Sequence, residues 1–141
     1  MILDTNAVSA FFEGVPAVCE AIGKADALWV PSIVLGEYRF GMSASRLRTE
    51  LEAKLGRLQR LVVVLVVDAE TALHYAKIRR ELRDAGTPIP ENDLWIAAPV
   101  RQHAGELLCN DAHFDNVAGI IRIGWRRGFF RRVEARSDRR R

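Results

Sequence analysis

Cysteine is scarce in this chain. Cys19 and Cys109 are the only two among 141 residues, and their separation matches no zinc or redox spacing. Disulfide scaffolds and zinc modules are therefore excluded, and two buried thiols in a reducing cytoplasm are expected. The three histidines, His74, His103 and His113, show no zinc spacing either. His74 and His103 are expected on helix surfaces, and His113 lies near enough to Asp111 in sequence to assist a proton transfer. The chain lacks the G-x-x-x-x-G-K-[ST] phosphate loop, the G-x-G-x-x-G dinucleotide fingerprint and the G-x-S-x-G nucleophile elbow. The apolar run LVVVLVV (61–67) is too short to span a bilayer. Asp4 interrupts the apolar start, so no secretory signal is expected, and the protein is expected in the cytoplasm without a membrane partner.

The composition that remains is that of an ordinary globular domain. Hydrophobic residues make up 49% and charged residues 28%. A chain of this length buries roughly two thirds of its unfolded surface, enough for a core without staples. The net charge of +3 hides an asymmetry. From Arg122 to Arg141, nine arginines stand against Glu134 and Asp138, a net +7, so the first 121 residues carry −4. We divide the chain into a folded domain, 1–123, and a basic, partly disordered extension, 124–141. A basic extension suits phosphate backbones or an acidic partner, or is simply a solvated terminus.

Periodicity and breakers place the elements. MIL (1–3) reads as a short strand, and TNAVSAFFEG as a helix ended by Gly14. Pro16 starts a second helix, LWV (28–30) is a strand, and Ser32 is placed to cap the helix carrying Glu37. Leu47, Leu51, Leu55 and Leu58 form one apolar stripe on a helix starting near Ser45. LVVVLVV reads as a strand buried on both faces. Asp68 caps a helix that closes at Gly86, and Asn92 is expected to cap another that ends at Gly105. ELLC (106–109) and IIRI (120–123) complete the strands. Alternating strands and helices predict an α/β fold with a mostly parallel sheet of four to five strands. In such sheets the ligand site lies beyond the carboxyl ends of the strands.

That rule gives weight to the acids. Asp4 follows the first strand, Asp111 follows ELLC, Glu37 lies early in the helix after the second strand, and Asp93 opens the helix after IPEN. Glu91 and Asp115 are close to them in sequence. Taken singly, Asp4 and Asp93 are good helix caps, Glu37 a solvated charge and Asp111 a turn former. Gathered at one edge, the carboxylates would repel each other and raise a pKa. A hard divalent cation removes that conflict and activates water for phosphoryl chemistry.

Four segments, ILDTN, GEYRFG, IPENDLWIAA and CNDAHFDNVAGI, occur in this order. Together they resemble PIN-domain ribonucleases, and in particular the toxin half of VapBC-type toxin–antitoxin pairs, over roughly residues 1–123. The resemblance implies a three-layer α/β/α sandwich and Mg²⁺- or Mn²⁺-dependent endonucleolytic cleavage of RNA. It also implies a homodimer and a cognate VapB-type antitoxin that covers the active site. The family's catalytic acids fall on Asp4, Glu37, Asp93 and Asp111. Glu37 would bind metal or position water, and Glu91 and Asp115 are further metal-ligand candidates. Thr5 and Asn6 match the polar pair that follows the first aspartate, with Asn6 orienting the site. Arg39, Arg126, Arg127, Arg131 and Arg132 are candidates for RNA contact, with Trp125, Phe129 and Phe130 available for stacking. Pro99 departs from the resemblance, because a proline inside that helix loses a backbone bond.

Alternatives remain at this stage: a catalytically inactive PIN-like module that binds RNA or protein, a DNA nuclease of the same fold, and a receiver-like signalling domain. The receiver needs an acidic pair after the first strand and a lysine after the last, where this chain has DTN and, after ELLC, Asn110.

Overall fold

The computed structural model describes residues 1–126 and 129–134. Six strands form one sheet: β1 (Ile2–Leu3), β2 (Trp29–Pro31), β3 (Val63–Leu65), β4 (Glu106–Leu108), β5 (Ile121–Arg126) and β6 (Phe129–Glu134). Their spatial order is β3-β2-β1-β4-β5-β6. All neighbouring pairs are parallel except β5 with β6, which are antiparallel. The helices are α1 (Thr5–Phe12), α2 (Pro16–Lys24), α3 (Ser32–Met42), α4 (Arg48–Gln59), α5 (Ala69–Asp84) and α6 (Glu91–Gln102), with a short 3₁₀ helix at Ala112–Asn116.

The chain steps from β1 through β2 to β3 in one direction, then returns past β1 to β4 and β5. Right-handed crossovers therefore assign α1–α4 and α5–α6 to opposite faces, giving the three layers. Helix α1 packs on α2 and α3, and α5 on α6. Helix α3 also reaches α6, which brings the helix carrying Glu37 up to the helix carrying Asp93. The core between the layers includes Ile2, Leu3, Val8, Val30, Leu55, Ile78, Ile96, Leu107 and Phe114.

Several sequence expectations need correction. The sheet has six strands, not four to five. β5 runs on to Arg126, and β6 pairs back on it from Ile121↔Glu134 to Arg126↔Phe129. Backbone pairing needs only a free edge, so an arginine-rich segment can supply a strand that apolar patterning does not announce. The LVVVLVV strand shrinks to Val63–Leu65 and is not buried on both faces, because β3 is an edge strand with β2 as its one neighbour. Leu61, Val63, Val66 and Val67 are exposed there. Leu47 precedes α4 and is also exposed, so the stripe reduces to Leu51, Leu55 and Leu58. Ser32 and Asn92 lie inside their helices, whose N-cap positions are Pro31 and Pro90. Cys19 is only half-buried.

Other expectations hold locally. Asp68 caps α5 with a reciprocal bond pair to Thr71, and Gly14 and Gly86 take the left-handed conformation after α1 and α5. Helix α6 continues through Pro99, which is buried.

Gly105 precedes β4 and sits tightly against β1. A Cβ there would meet Ile2 Cδ1 at 2.6 Å. Gly105→Ala is expected to destabilise by about 1–3 kcal/mol through overpacking, read as a lowered urea midpoint with an unchanged slope. An unchanged midpoint would show that the Ile2 side chain gives way freely.

Candidate active site

The strand order reverses at β1, with β2 on one side and β4 on the other. Open α/β sheets bind ligands outside the strand ends at such a switch point. Asp4 is the first residue beyond β1, and its backbone N–H donates to the Leu108 carbonyl at 3.2 Å. It occupies the N-cap position of α1, yet its side chain makes no cap hydrogen bond. The carboxylate turns to β4 instead. Its Oδ2 accepts from the Cys109 thiol at 2.7 Å and from Asn6 Nδ2 at 3.2 Å. Asn6 Oδ1 accepts from the Asn110 backbone N–H at 3.2 Å, and the Asp111 N–H donates to Cys109 Sγ at 3.1 Å. On the far side, the Trp125 N–H donates to Asn110 Oδ1 at 2.8 Å. The turn 109–111 is thus held between the start of α1 and strand β5.

Glu37 projects from α3 and is half-buried; the Thr5 hydroxyl donates to its Oε2 at 2.7 Å. Asp93 lies in the first turn of α6, where the helix N-terminus favours an anion. Asp111 precedes the 3₁₀ helix and accepts the His113 backbone N–H at 2.9 Å. His113 Nδ1 lies 3.0 Å from Asp93 Oδ2 and 3.2 Å from Asp111 Oδ1. Ligand atoms of Asp93, Asp111 and His113 all fall within 4.8 Å of one another.

Burial sets the electrostatics. Asp4 is 5% exposed, and burial drives its pKa up to about 6, against the lowering effect of the Cys109 and Thr5 hydrogen bonds; the charges of Asp93 and Glu37 raise it further. Asp93 is also raised, first by burial and then by Asp111 and Glu37, while its contact with His113 opposes the rise. Burial and the Asp4 charge push the Cys109 thiol well up, so it stays protonated and donates to Asp4.

The remaining sequence candidates sit elsewhere. Glu91 bonds Tyr75 and pairs with Arg79 at 3.1 Å, beside a groove lined by α5. Asp115 holds Arg122 in a bidentate pair at 2.6 and 2.8 Å. Arg39 bonds Glu52 and Gln59 on the surface. Arg132 pairs with Glu106 at 2.9 Å in a groove shared with Met1, Lys24 and Trp29, toward the amino ends of the strands. Arg127 lies outside the described residues, as do the side chains of Arg126, Phe129, Phe130 and Arg131. Trp125 packs against the core.

Sequence reasoning missed the place of Cys109, which it treated as an inert thiol, and of Asn110. The available signal was position: both directly follow β4, at the same edge as Asp4.

The donor set fits a divalent cation. It offers carboxylate oxygens and one imidazole nitrogen, and burial disfavours two of the carboxylates as bare anions. Among the described residues, the tight cluster is Asp93, Asp111 and His113; Asp4 and Glu37 approach it electrostatically.

Fold and site together define an α/β protein with a mostly parallel sheet and a group of carboxylates at its topological switch point. The PIN-domain family model matches residues 1–120, and the chain belongs to the PIN-domain family. It is 27% identical over 107 residues to Ribonuclease VapC2 of Rickettsia felis, covering 75% of this chain and 80% of that protein. The crystal structure of VapBC2 from Rickettsia felis bound to a promoter DNA fragment superposes with a TM-score of 0.78 at 26% identity, covering 89% of this chain and 98% of the other. DNA-bound VapBC from Salmonella typhimurium gives 0.79 at 25% identity, covering 88% and 96%. Among the described residues, no helix is long and apolar enough to cross a membrane.

Proposed function

We propose that this protein is a divalent-cation-dependent endoribonuclease, the toxin of a toxin–antitoxin pair. The observation that carries the reading is the convergence of Asp4, Glu37, Asp93 and Asp111 at the β1–β4 switch point, in a PIN-domain chain similar to a VapC ribonuclease. Asp93 and Asp111 would hold Mg²⁺ or Mn²⁺, with Asp4 completing the set and Glu37 binding the cation or orienting the attacking water. When bound, the cation supplies charge compensation for the carboxylates and polarises water and phosphate. The chain's own residues do the rest. The Thr5 hydroxyl fixes the Glu37 carboxylate through Oε2. Cys109 and Asn6 both engage Asp4 Oδ2, and the Thr5 backbone N–H adds a hydrogen bond to the same carboxylate. Hydrolysis breaks the phosphorus–oxygen ester bond as a water oxygen joins phosphorus in line, and it needs no covalent enzyme intermediate. The acid–base character of Asp4 and Asp93 keeps the crevice responsive to cation and proton alike.

The partner reading has its own support. A groove of about 500 Å³ runs from Glu37 between α1, α3 and α4, past Phe12, Tyr38, Met42 and Leu51. It suits an antitoxin segment that covers the site. The apolar edge at Leu61, Val63, Val66, Val67 and Leu73 suits a homodimer contact.

The test is cleavage of a mixed RNA pool with Mg²⁺, Mn²⁺ or EDTA by the wild type and by Asp93→Asn. Cleavage is expected with either cation, none with EDTA, and a loss of at least about 100-fold in the variant. Equal cleavage by wild type and variant, or cleavage indifferent to EDTA, would overturn the reading.

A further inference from the structure

We propose that His113 is a nitrogen ligand of the cation held by Asp93 and Asp111, and that it tilts this site toward Mn²⁺ over Mg²⁺. The inference rests on the preceding reading that the crevice binds a divalent cation. It goes further by assigning a ligand outside the four carboxylates and a metal preference.

Geometry carries the assignment. One ring atom, Nδ1, stands 3.0 Å from Asp93 Oδ2 and 3.2 Å from Asp111 Oδ1. Adjacent ligands on an octahedron with bonds of ~2.1 Å lie ~3.0 Å apart. The two separations are therefore those of neighbouring ligands on one ion. The three ligand atoms lie within 4.8 Å of one another, so a cation seated among them would replace the two contacts that His113 makes.

Backbone anchoring makes the placement reproducible. The His113 N–H donates to the same Asp111 carboxylate oxygen that its ring approaches. The next residue, Phe114, is buried in the core. The 3₁₀ turn thus pins the His113 backbone on both sides, although half of the side chain is exposed. Asp111 is tied back in turn, since its N–H donates to Cys109 Sγ. Asp93 comes from a different element, α6, so two independent segments converge on the imidazole.

The selectivity follows from ligand chemistry. Mg²⁺ prefers oxygen donors, whereas imidazole suits transition metals, whose affinities rise from Mn²⁺ toward Co²⁺ and Ni²⁺. Replacing one oxygen with a nitrogen therefore costs Mg²⁺ more than Mn²⁺.

The experiment is Mn²⁺ binding to the purified full-length chain, followed by electron paramagnetic resonance, with Mg²⁺ as competitor. Pulsed measurements on the bound ion should show the ¹⁴N coupling of a directly bound imidazole. His113→Ala should remove that coupling, weaken Mn²⁺ about 10-fold or more and weaken Mg²⁺ less, so that the Mn²⁺/Mg²⁺ ratio falls. His113→Asp should bind both ions but lose the preference. Bound Mn²⁺ without ¹⁴N coupling in the wild type would overturn the proposal, whether or not any variant folds. So would an unchanged ratio in His113→Ala. If Mn²⁺ fails to bind the wild type at all, the cation reading itself falls with it. If binding persists but is lost in Asp93→Asn and untouched in His113→Ala, only the histidine assignment falls.

Discussion

Asp4→Asn is expected to abolish RNA cleavage and, at the same time, to stabilise the metal-free protein. On the proposed function, the activity loss follows from removing a charged oxygen from the surroundings of the proposed cation, and it should reach at least about 100-fold. The stability gain follows from burial. Asp4 has a folded pKa of about 6 against 3.8 for the ordinary carboxyl. The folded state therefore binds this proton more tightly than the unfolded state does. Stability contributed by protonated Asp4 is complete below about pH 4 and is lost as pH rises through 6. The loss above that window is about 3 kcal/mol. Asparagine carries no charge at any pH and keeps a side-chain oxygen for the Cys109 thiol and the Asn6 amide. At pH 8 without metal, Asp4→Asn should thus unfold roughly 10 °C above the wild type, and the difference should shrink to little by pH 4. Millimolar Mg²⁺ or Mn²⁺ should raise the wild type more than the variant. Thermal scans across pH 4–8, with and without cation, read all of this. A variant less stable than the wild type at pH 8 would show that the carboxylate is structural rather than strained.

Much of this arrangement was legible because it depends on local order along the chain. Alternation of apolar strands with capped helices announces a parallel sheet, and acids just past strand ends fall at one edge of it. That rule singled out Asp4 and Asp111; Glu37 and Asp93 were offered as candidates by their places early in helices and by the family resemblance. The role of Cys109 was not legible, because it depends on β1 and β4 being neighbours, and sequence order does not state which strands pair. Edge position was hidden for the same reason. LVVVLVV has the composition of an interior strand, yet β3 ends the sheet, so its apolar side chains stay exposed. β6 was hidden by its arginines, which describe a solvated segment while the backbone completes a hairpin with β5. Asp4 as a helix cap was a fair local expectation that tertiary contacts overrode: the carboxylate leaves its own helix for the thiol across the switch point.

Asp115 separates a metal ligand from a structural counter-ion, and its substitution should have the other large effect. The sequence offers it as an acid near Asp111. The geometry directs it away from the cluster, onto Arg122. Arg122 is 8% exposed, and its Nη1 also donates to the Cys109 carbonyl at 3.0 Å, within the turn that carries the candidate site. Asp115→Ala would strand a buried positive charge, at a cost of about 3–5 kcal/mol. Replacing both partners, Asp115→Leu with Arg122→Met, should recover most of that loss, because an apolar pair leaves no charge uncompensated. The Cys109 carbonyl would still lack its guanidinium donor, so recovery should be incomplete and the 109–111 turn looser. Cation affinity in the double variant should consequently stay within about 10-fold of the wild type, the lower end of what lost outer-shell support costs. Chemical denaturation and Mn²⁺ titration on the single and double variants measure both quantities. If Asp115→Ala kept full stability and lost cation binding, Asp115 would be a ligand and the Arg122 pair incidental.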